Sequence, residues 1–291
     1  MKKILAALLT VATVITCAFA FTACDKKGSA NEKIKMVDVD LSSEQYAFIV
    51  KKDDTKLLNK VNGILDSKKT EIQAIMDKYL NASEEQLSKF GSNTIKTNAS
   101  GSDDEFVVAT NIGFAPFEYS NGSKIAGIDI EIAQLIANEL GKTLVVEHME
   151  FEAVVTAVQN QKKYDIGMAA LTVSEDRAKV VTFTKPYFDT TQVVVVKADD
   201  TTFDACSDKD AMLQKLASLS GAAAKCGGQT GTTGQQFVKG NEALEFDGFS
   251  NLDFHGYTTP ALAVQSMING NISFVVVDKA VAQNLVKNIN K

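Results

Sequence analysis

Residues 126–148 read AGIDIEIAQLIANELGKTLVVEH and contain a helix signal followed directly by a strand signal. Between Ile128 and Leu140 an apolar residue recurs at every fourth position, which predicts a helix with one apolar face. Gly141 stands where this helix would end, because glycine readily adopts the left-handed backbone of a C-cap. The apolar run at 143–147 predicts a buried strand. This succession of helix and strand is typical of an α/β fold.

The same alternation extends on both sides of this stretch. We predict a strand at 106–110, a helix at 151–161 and a third strand at 165–170. Short connections between alternating strands and helices favour a parallel sheet with helices on both faces. A second α/β unit follows, with strands predicted at 192–197, 222–228 and 272–277 and helices at 232–239, 259–270 and 279–290.

The N-terminal portion has a different pattern. Residues 36–39 and 46–50 predict strands, and residues 55–80 predict one long helix or two short ones. Residues 81–105 are rich in serine, asparagine, glycine and charge, which indicates a linker. A flexible chain of this length spans roughly 25–30 Å, enough to join distant points on one domain.

The first 23 residues predict a secretory signal that is removed from the mature protein. Two lysines precede an apolar run that ends near Phe21, and small residues follow it. A transmembrane helix is the alternative, but the run is short for a span and a polar stretch comes directly after it. Cys24 resembles a lipidation site, with residues 24–33 as the linker from the lipid. We therefore expect an exported protein, anchored by lipid to the outer face of the cell membrane.

Acidic residues outnumber basic ones, 36 to 30, and the formal net charge is −6. This balance, in a sequence without a basic patch or a glycine-rich phosphate loop, argues against nucleic acid as a partner. His148 and His255 are far apart and beside no cysteine cluster, so we expect no metal site and no cofactor. Outside the cytoplasm Cys206 and Cys226 could form a disulfide, which would stabilise the fold by roughly 3 kcal/mol.

The sequence contains a single arginine, Arg177, among 30 basic residues. Lysine serves as a solvated point charge, but only a guanidinium offers a planar set of donors to a carboxylate. A lysine-rich composition in which one arginine remained by chance is the alternative. The motifs around Arg177 favour a binding role.

Several stretches carry a resemblance to a known family. They are Ala109–Tyr119, Gly127–Glu131, Asp165–Thr172 with Arg177, Phe183–Tyr187, Gln229–Gly234 and Val275–Asp278. Together they resemble the extracellular amino-acid-binding proteins of ABC importers, solute-binding protein family 3, over nearly all of the mature chain. The resemblance implies an α/β fold of two lobes, the type II periplasmic-binding-protein-like fold. Each lobe would be a mostly parallel sheet with helices on both faces, and two hinge strands would join the lobes.

The order of the stretches departs from that of the family. Glu44–Lys52 and the helices up to Leu80 resemble the usual C-terminal piece, yet here they precede Phe106. The chain therefore resembles a circular permutant; an unrelated N-terminal domain on a truncated binding protein is the alternative. Hinge strands are expected near Ser42 and Lys197. The expected segments are 34–41 in lobe 2, 42–80 in lobe 1, a permutation linker at 81–104, 105–196 in lobe 1 and 197–291 in lobe 2.

The resemblance also implies a site for the two charged ends of an L-α-amino acid. The implied ligand-binding residues are Asn111, Phe114, Phe151, Ala170, Thr172, Arg177, Gly231, Thr232, Thr233 and Asp278. Arg177, the Thr172 hydroxyl and the main chain at Ala170 would hold the carboxylate. Backbone N–H groups at the helix start 231–233 would reach it from the facing lobe. Asp278 would hold the ammonium, and the two phenylalanine rings would enclose the ligand side chain.

Each of these residues also has a purely structural interpretation. The rings can be core residues, the threonines can be helix caps, and Asp278 can be a surface residue at a strand end. Asn111 cannot neutralise a cation, which favours a neutral polar ligand such as glutamine. A cationic ligand stays open because Glu118 or Glu152 could supply charge, although we expect both to be solvated surface residues.

The expected protein is a monomeric solute-binding lipoprotein without catalytic residues. It would close its hinge around a polar amino acid and deliver that ligand to an ABC import permease. Two other functions stay open on the same fold. One is an enzyme similar to the cyclohexadienyl dehydratases, which act on prephenate or arogenate and for which Glu118 and Glu152 are the available acids. The other is an envelope sensor or adhesin that transports nothing.

Overall fold

The computed structural model of the chain describes residues 32–242 and 246–290. The predicted signal 1–23, the predicted lipidation site Cys24 and most of the linker 24–33 lie outside the described residues. No helix within the described ranges is long and apolar enough to cross a membrane.

The strands and helices follow the alternation predicted from the sequence. The strands are β1 (Ile34–Val37), β2 (Glu44–Tyr46), β3 (Ile49–Lys51), β4 (Glu105–Thr110), β5 (Tyr119–Asn121), β6 (Lys124–Ala126), β7 (Thr143–His148), β8 (Ile166–Gly167), β9 (Val181–Phe183), β10 (Phe188–Thr190), β11 (Gln192–Lys197), β12 (Lys225–Gln229), β13 (Asp253–Tyr257) and β14 (Phe274–Asp278). The helices are α1 (Thr55–Ser67), α2 (Lys69–Leu80), α3 (Glu84–Leu87), α4 (Ile128–Glu139), α5 (Phe151–Asn160), α6 (Glu175–Ala178), α7 (Lys209–Ser218), α8 (Thr233–Lys239), α9 (Pro260–Ile268) and α10 (Lys279–Ile289).

The described strands form two five-stranded sheets and two short two-stranded pairs. Sheet I has the order β1-β11-β14-β12-β13, and sheet II has the order β7-β4-β8-β3-β9. In each sheet two neighbouring pairings are parallel and the other two are antiparallel. Four of the five strands in each sheet therefore run in the same direction, and the strand that follows a crossover, β11 in sheet I and β3 in sheet II, runs against them. The sheets are mostly parallel, as expected.

Helices cover both faces of sheet I, which explains its valine-rich strands. Alternate side chains of a strand point to opposite faces. Val193 and Val195 pack in the same apolar cluster as α9 and α10, whereas Val194 and Val196 pack with α7 and α8. All four valines are buried. Fully burying one such side chain contributes about 1.5–3 kcal/mol, so this strand is a fixed base for the loops at its end.

Two chain segments cross between the sheets. Their short strands β2 and β10 pair antiparallel, with Phe188 opposite Tyr46. The next strand, β11, already belongs to sheet I, where it pairs with β1 and β14. The expected boundary between residues 196 and 197 is therefore wrong: the crossover precedes Gln192, because the buried valines of β11 need partners on both edges. The expected hinge near Ser42 lies beside β2.

Residues 81–104, expected as a linker, lie along the lobe that contains sheet II. Lys96 forms a parallel bridge with Val145 of β7, and Ser92 forms an antiparallel bridge with Ile125 of β6. These backbone contacts hold the segment against the lobe at two separate places.

The two ends of the described chain meet at sheet I. The Asn290 Oδ1 atom accepts hydrogen bonds from the backbone N–H groups of Lys33 at 2.8 Å and Ile34 at 3.0 Å. The Asn290 amide nitrogen donates to the Ile34 carbonyl oxygen at 2.6 Å. One asparagine side chain thus ties the end of α10 to the start of β1.

The candidate disulfide between Cys206 and Cys226 is not formed, and both thiols are free. Cys226 lies in β12, where burial raises the pKa of its thiol to about 12. The Cys206 thiol belongs to the edge of the same apolar cluster but approaches the backbone oxygen of Ala211 at 3.8 Å.

Candidate functional site

Arg177 lies in the single helical turn α6, which connects β8 and β9 of sheet II. Ser174 caps this turn by accepting the Arg177 backbone N–H at 3.4 Å. The guanidinium Nη1 donates to the Thr172 carbonyl oxygen at 2.8 Å, and Nη2 donates to the Gly231 carbonyl oxygen at 3.2 Å. Thr172 follows β8 of sheet II, whereas Gly231 follows β12 of sheet I. The planar fork of Arg177 therefore spans the space between the two sheets.

Thr172 and Thr233 bring two hydroxyl groups together from the two sides of this space. Their Oγ1 atoms are 3.5 Å apart, and both donate to the same Glu44 oxygen, Oε2, at 2.8 and 2.7 Å. Thr233 also accepts a hydrogen bond from the Gln192 amide at 3.2 Å. The Thr172 hydroxyl, predicted to bind a carboxylate, thus lies beside the Thr233 hydroxyl, and a carboxylate of the chain itself accepts from both.

Asp278 lies at the end of β14, facing the crossover strand β2. Its Oδ1 accepts a hydrogen bond from the Tyr46 hydroxyl at 2.5 Å. Burial, together with the nearby Glu44 carboxylate, raises the pKa of Asp278 to about 7. A buried carboxyl with a neighbouring carboxylate is a strong acceptor for a cationic group. The cation offsets both the loss of hydration and the repulsion from the neighbouring carboxylate.

The positive charge of Arg177 lies beside the carboxyl groups of Glu44 and Asp278. Burial lowers the pKa of its guanidinium from the usual value, while Glu44 and Asp278 act in the opposite direction. The guanidinium carbon lies 5.4 Å from the centroid of the Phe151 ring. A stacked arginine keeps its charge and its orientation, so this group can present a fixed donor face.

Asn111 makes a second contact across the space between the sheets. It follows β4 of sheet II, is buried, and donates to the Met149 carbonyl oxygen at 2.7 Å. Its Oδ1 accepts from the side-chain amide of Gln229, at the end of β12 of sheet I, at 2.8 Å. Gln229 also donates to the Thr258 carbonyl oxygen at 2.8 Å.

The two predicted aromatic residues have different surroundings. Phe151 begins α5 and faces Arg177, so it lies in the candidate site. Phe114 is buried in the large apolar cluster that includes residues next to both sheets, with its ring centroid 6.2 Å from that of Phe117. These contacts are those of a core residue, which is the structural interpretation of Phe114.

Ala170 has a backbone φ of 47°, in the left-handed region that residues with a Cβ seldom adopt. Its N–H donates to Asp129 Oδ2 at 2.9 Å, and the Tyr187 hydroxyl donates to Asp129 Oδ1 at 2.5 Å. Asp129 thereby holds the loop that leads from β8 to Thr172. The strained backbone at Ala170 turns this loop towards the facing sheet.

The polar groups at the helix start 231–233 mainly form hydrogen bonds with nearby residues of the chain. Thr232 is the N-cap of α8, accepts the Gln235 N–H at 3.4 Å and donates to the Gln229 carbonyl oxygen at 2.7 Å. The Gly231 N–H donates to the Gln235 side chain at 2.6 Å. The capping interpretation of Thr232 is therefore correct, whereas Thr233 presents its hydroxyl to the candidate site.

Glu118 is not a solvated surface residue, contrary to expectation. Its side chain is fully buried, and neither carboxylate oxygen has a hydrogen-bond partner among the residues that the structure describes. Burial and the charges of Asp129 and Asp278 hold the pKa of Glu118 well above its usual value. Glu152, in contrast, is exposed as expected.

Sequence reasoning missed other residues of the site, among them Glu44, Tyr46 and Gln229. The stretch Glu44–Lys52 was noted only for its place in the chain order. For Glu44 and Tyr46, the available signal was their position beside the crossover predicted near Ser42, where polar side chains can face both lobes. Within the described ranges, no cluster of histidine, cysteine, aspartate and glutamate could hold a metal ion.

Comparison with known proteins places this arrangement in a family. Residues 106–291 match the model of the bacterial extracellular solute-binding proteins, family 3, which is more than half of the chain. The chain belongs to this family. Family 3 members are extracellular by description, and the α/β fold of two mostly parallel sheets agrees with that of the solved relatives.

Three relatives of this family 3 chain are informative. The arginine-binding extracellular protein ArtP of Bacillus subtilis is 26% identical over 183 residues, which are 63% of this chain and 64% of ArtP. An ancestral arginine-binding protein bound to arginine is 30% identical, with a TM-score of 0.53 over 64% of this chain and 74% of that one. The ancestral amino acid-binding protein AncCDT-1, a precursor of cyclohexadienyl dehydratase, is 26% identical, with a TM-score of 0.54 over 64% of this chain and 74% of that one. The family 3 chain thus spans less than two thirds of the length of ArtP.

Proposed function

We propose that this chain is a binding protein that captures an L-α-amino acid between sheets I and II and delivers it to an ABC import permease. The observation that carries the proposal is the guanidinium of Arg177, which reaches carbonyl groups that follow strands of both sheets. Thr172 and Thr233 add hydroxyl donors beside it, and Asp278 adds an acid. Opposite charges at one site match the two ends of a zwitterion.

For the ligand class we propose a cationic amino acid, with arginine first. Asp278, Glu118 and Asp129 lie near one another, as the effect of both aspartates on the pKa of Glu118 indicates, and Arg177 is close enough to Asp278 for that acid to act on its pKa. This excess of acid favours a cation over the neutral polar ligand that Asn111 alone suggests. The arginine-binding names of ArtP and of the ancestral protein support the same choice.

Ligand binding would favour the closed arrangement of the two sheets. Arg177 and Asp278 act on one ligand only when the loops of both sheets are close together, so the ligand shifts the hinge equilibrium towards closure. We further propose that the protein is an exported monomer, held at the outer face of the membrane by lipid on Cys24. The sequence pattern of residues 1–24 supports this anchor.

We also propose that the chain order is a circular permutation of the family order. The family match begins at residue 106, yet β3 from the front of the chain lies inside sheet II between β8 and β9. The hydrogen bonds between Asn290 and residues 33–34 support this proposal, because they bring the end of α10 next to the start of β1.

A thermal-shift screen against the twenty L-amino acids tests the proposal. A ligand at a hundred times its Kd adds about 2.7 kcal/mol to the free energy of unfolding. We expect L-arginine to stabilise the parent protein and Lys179→Ala, whose lysine is an exposed neighbour, but not Arg177→Lys, which keeps the charge and loses the fork. If no amino acid stabilises the parent, or if Arg177→Lys responds equally, the proposal is wrong.

A second candidate function is a dehydratase, and Glu118 favours it. Burial raises the pKa of the Glu118 carboxyl, so it holds its proton to a higher pH than a solvated carboxyl does, as a general acid must. The similarity to AncCDT-1, a precursor of cyclohexadienyl dehydratase, supports the same candidate function. Turnover of prephenate or arogenate by the parent, and its loss in Glu118→Gln, would establish this function in place of transport.

A further inference from the structure

Glu44 lies where two chain segments cross between the sheets, and its carboxylate contacts both sides of the candidate site. Oε2 accepts the hydroxyls of Thr172 and Thr233 at 2.8 and 2.7 Å, and Oε1 accepts the Ser42 hydroxyl at 2.6 Å. The Arg177 guanidinium is close enough for the Glu44 charge to act on its pKa. The Glu44 carboxylate thus accepts hydrogen bonds from three hydroxyl groups and lies near a guanidinium.

These are also the donors that the proposed function assigns to the carboxylate of the ligand. A hydroxyl has one hydrogen, so Thr172 and Thr233 can each donate to one carboxylate at a time. A second carboxylate placed on the same hydroxyls would also repel the first at this distance. Glu44 and an amino-acid carboxylate therefore exclude each other.

Glu44 has space to leave these hydroxyls. It is partly exposed and lines a cavity of about 580 Å³, which Ser174, Lys209 and Gln236 also line. Lys209 adds a positively charged side chain to the lining of that cavity. A rotation about the side-chain bonds of Glu44 would move its carboxylate into the cavity without moving the backbone of β2.

We propose that Glu44 is a tethered competitor, a carboxylate of the chain that occupies the carboxylate position of the ligand and sets the affinity of the site. This inference rests on the proposed function. The ligand displaces Glu44 from Thr172 and Thr233, so part of its binding free energy is used to break the internal contacts. The site therefore selects amino acids whose other contacts are strong enough to offset this cost.

Isothermal titration calorimetry with two probes tests the proposal. The probes are L-arginine and L-argininamide, which lacks the carboxylate but keeps the ammonium and the guanidinium. We expect Glu44→Gln to bind L-arginine about tenfold more tightly than the parent, since the neutral amide competes less well for charge-assisted donors. L-Argininamide should bind Glu44→Gln no more tightly than it binds the parent.

Asp189→Asn is the matched control, because Asp189 lies in the other crossover strand and bonds to Gln45, away from the two threonines. This variant should bind both probes as the parent does. Glu44→Asp, whose shorter side chain weakens the contact, should show a smaller gain than Glu44→Gln. Circular dichroism and thermal unfolding of each variant separate binding effects from misfolding.

Three results would overturn the proposal. L-Arginine binding unchanged in Glu44→Gln would mean that Glu44 does not compete. Weaker binding of both probes would mean that Glu44 instead accepts the cationic groups of the ligand. Equal gains for both probes would mean that the carboxylate is not the competing group. If neither the parent nor Glu44→Gln binds any amino acid, the proposed function and this inference are both wrong.

Discussion

Glu118, Asp129 and Asp278 are buried carboxyl groups whose protonation should control stability. Burial raises the pKa of Asp129 and of Asp278 to about 7. It raises the pKa of Glu118 as well, together with the charges of the other two. The folded chain therefore keeps protons that the unfolded chain releases near pH 4. The free energy of unfolding should fall as pH rises from about 4 to about 7 and stay low above that window.

Urea unfolding at pH 5 and pH 8 measures this effect. We expect the parent to be more stable at pH 5 by at least ~1 kcal/mol, and Glu118→Gln to reduce the difference because one of the three interacting acids is gone. Glu152→Gln, the same change at an exposed position, should keep the full difference. An unchanged pH dependence in Glu118→Gln would show that its carboxyl does not titrate with the others.

At this scale the sequence predicted residues whose chemistry is rare and missed residues whose burial depends on the fold. Arg177 stood out as the single guanidinium, and the structure gives it partners from both sheets. Glu118 follows Phe117 in a stretch with no clear period, so nothing local indicated its full burial. Gln229 and Asn111 are 118 positions apart, and their contact depends on two sheets that the sequence leaves unrelated.

Helix α8 carries two neighbouring threonines with different expected roles in stability and binding. Thr232→Ala removes the N-cap and the bond to Gln229, and should cost about 1 kcal/mol of stability. It should also weaken ligand binding, because the start of α8 presents Thr233 to the site. Asp208→Ala removes the N-cap of α7 and should cost a similar amount without an effect on binding. Urea unfolding and calorimetry measure the two quantities, and equal losses of affinity would contradict this assignment.

Among the elements, those with strong periodicity were predicted closely and those at crossovers were not. The helix at 128–140 and the strand at 192–197 match α4 and β11. The strand predicted at 165–170 is reduced to β8, Ile166–Gly167, because Ala170 turns the chain into the loop of the site. The strand predicted at 46–50 is divided between β2 and β3, which serve different sheets.

At the scale of the molecule, the meeting of residues 33 and 290 leads to a test of chain order. We expect a rearranged protein, with residue 290 joined to residue 33 and new ends between Gly101 and Ser102, to fold and to bind the same ligand. Both residues at the new break are exposed, and Gly101 has open space around it. Breaks at exposed, loosely packed positions are tolerated.

The control places the new ends between Val107 and Val108, inside the buried strand β4. This chain should not fold, because the break removes pairings with both β7 and β8. Circular dichroism and ligand titration compare the two proteins. Failure of the Gly101–Ser102 chain to fold would contradict the proposed permutation. The sequence suggested this order from its motifs, whereas the contact at Asn290 became visible only in three dimensions.

Arg177 has a spectroscopic consequence, since it is the one arginine of the sequence and its guanidinium contacts chain from both sheets. Growth on isotope-labelled arginine would place a single labelled guanidinium in a protein of 291 residues. Its side-chain resonances in a heteronuclear magnetic resonance spectrum would then need no assignment. In the purified protein, that one set of signals would report whether the two halves of the molecule are in contact.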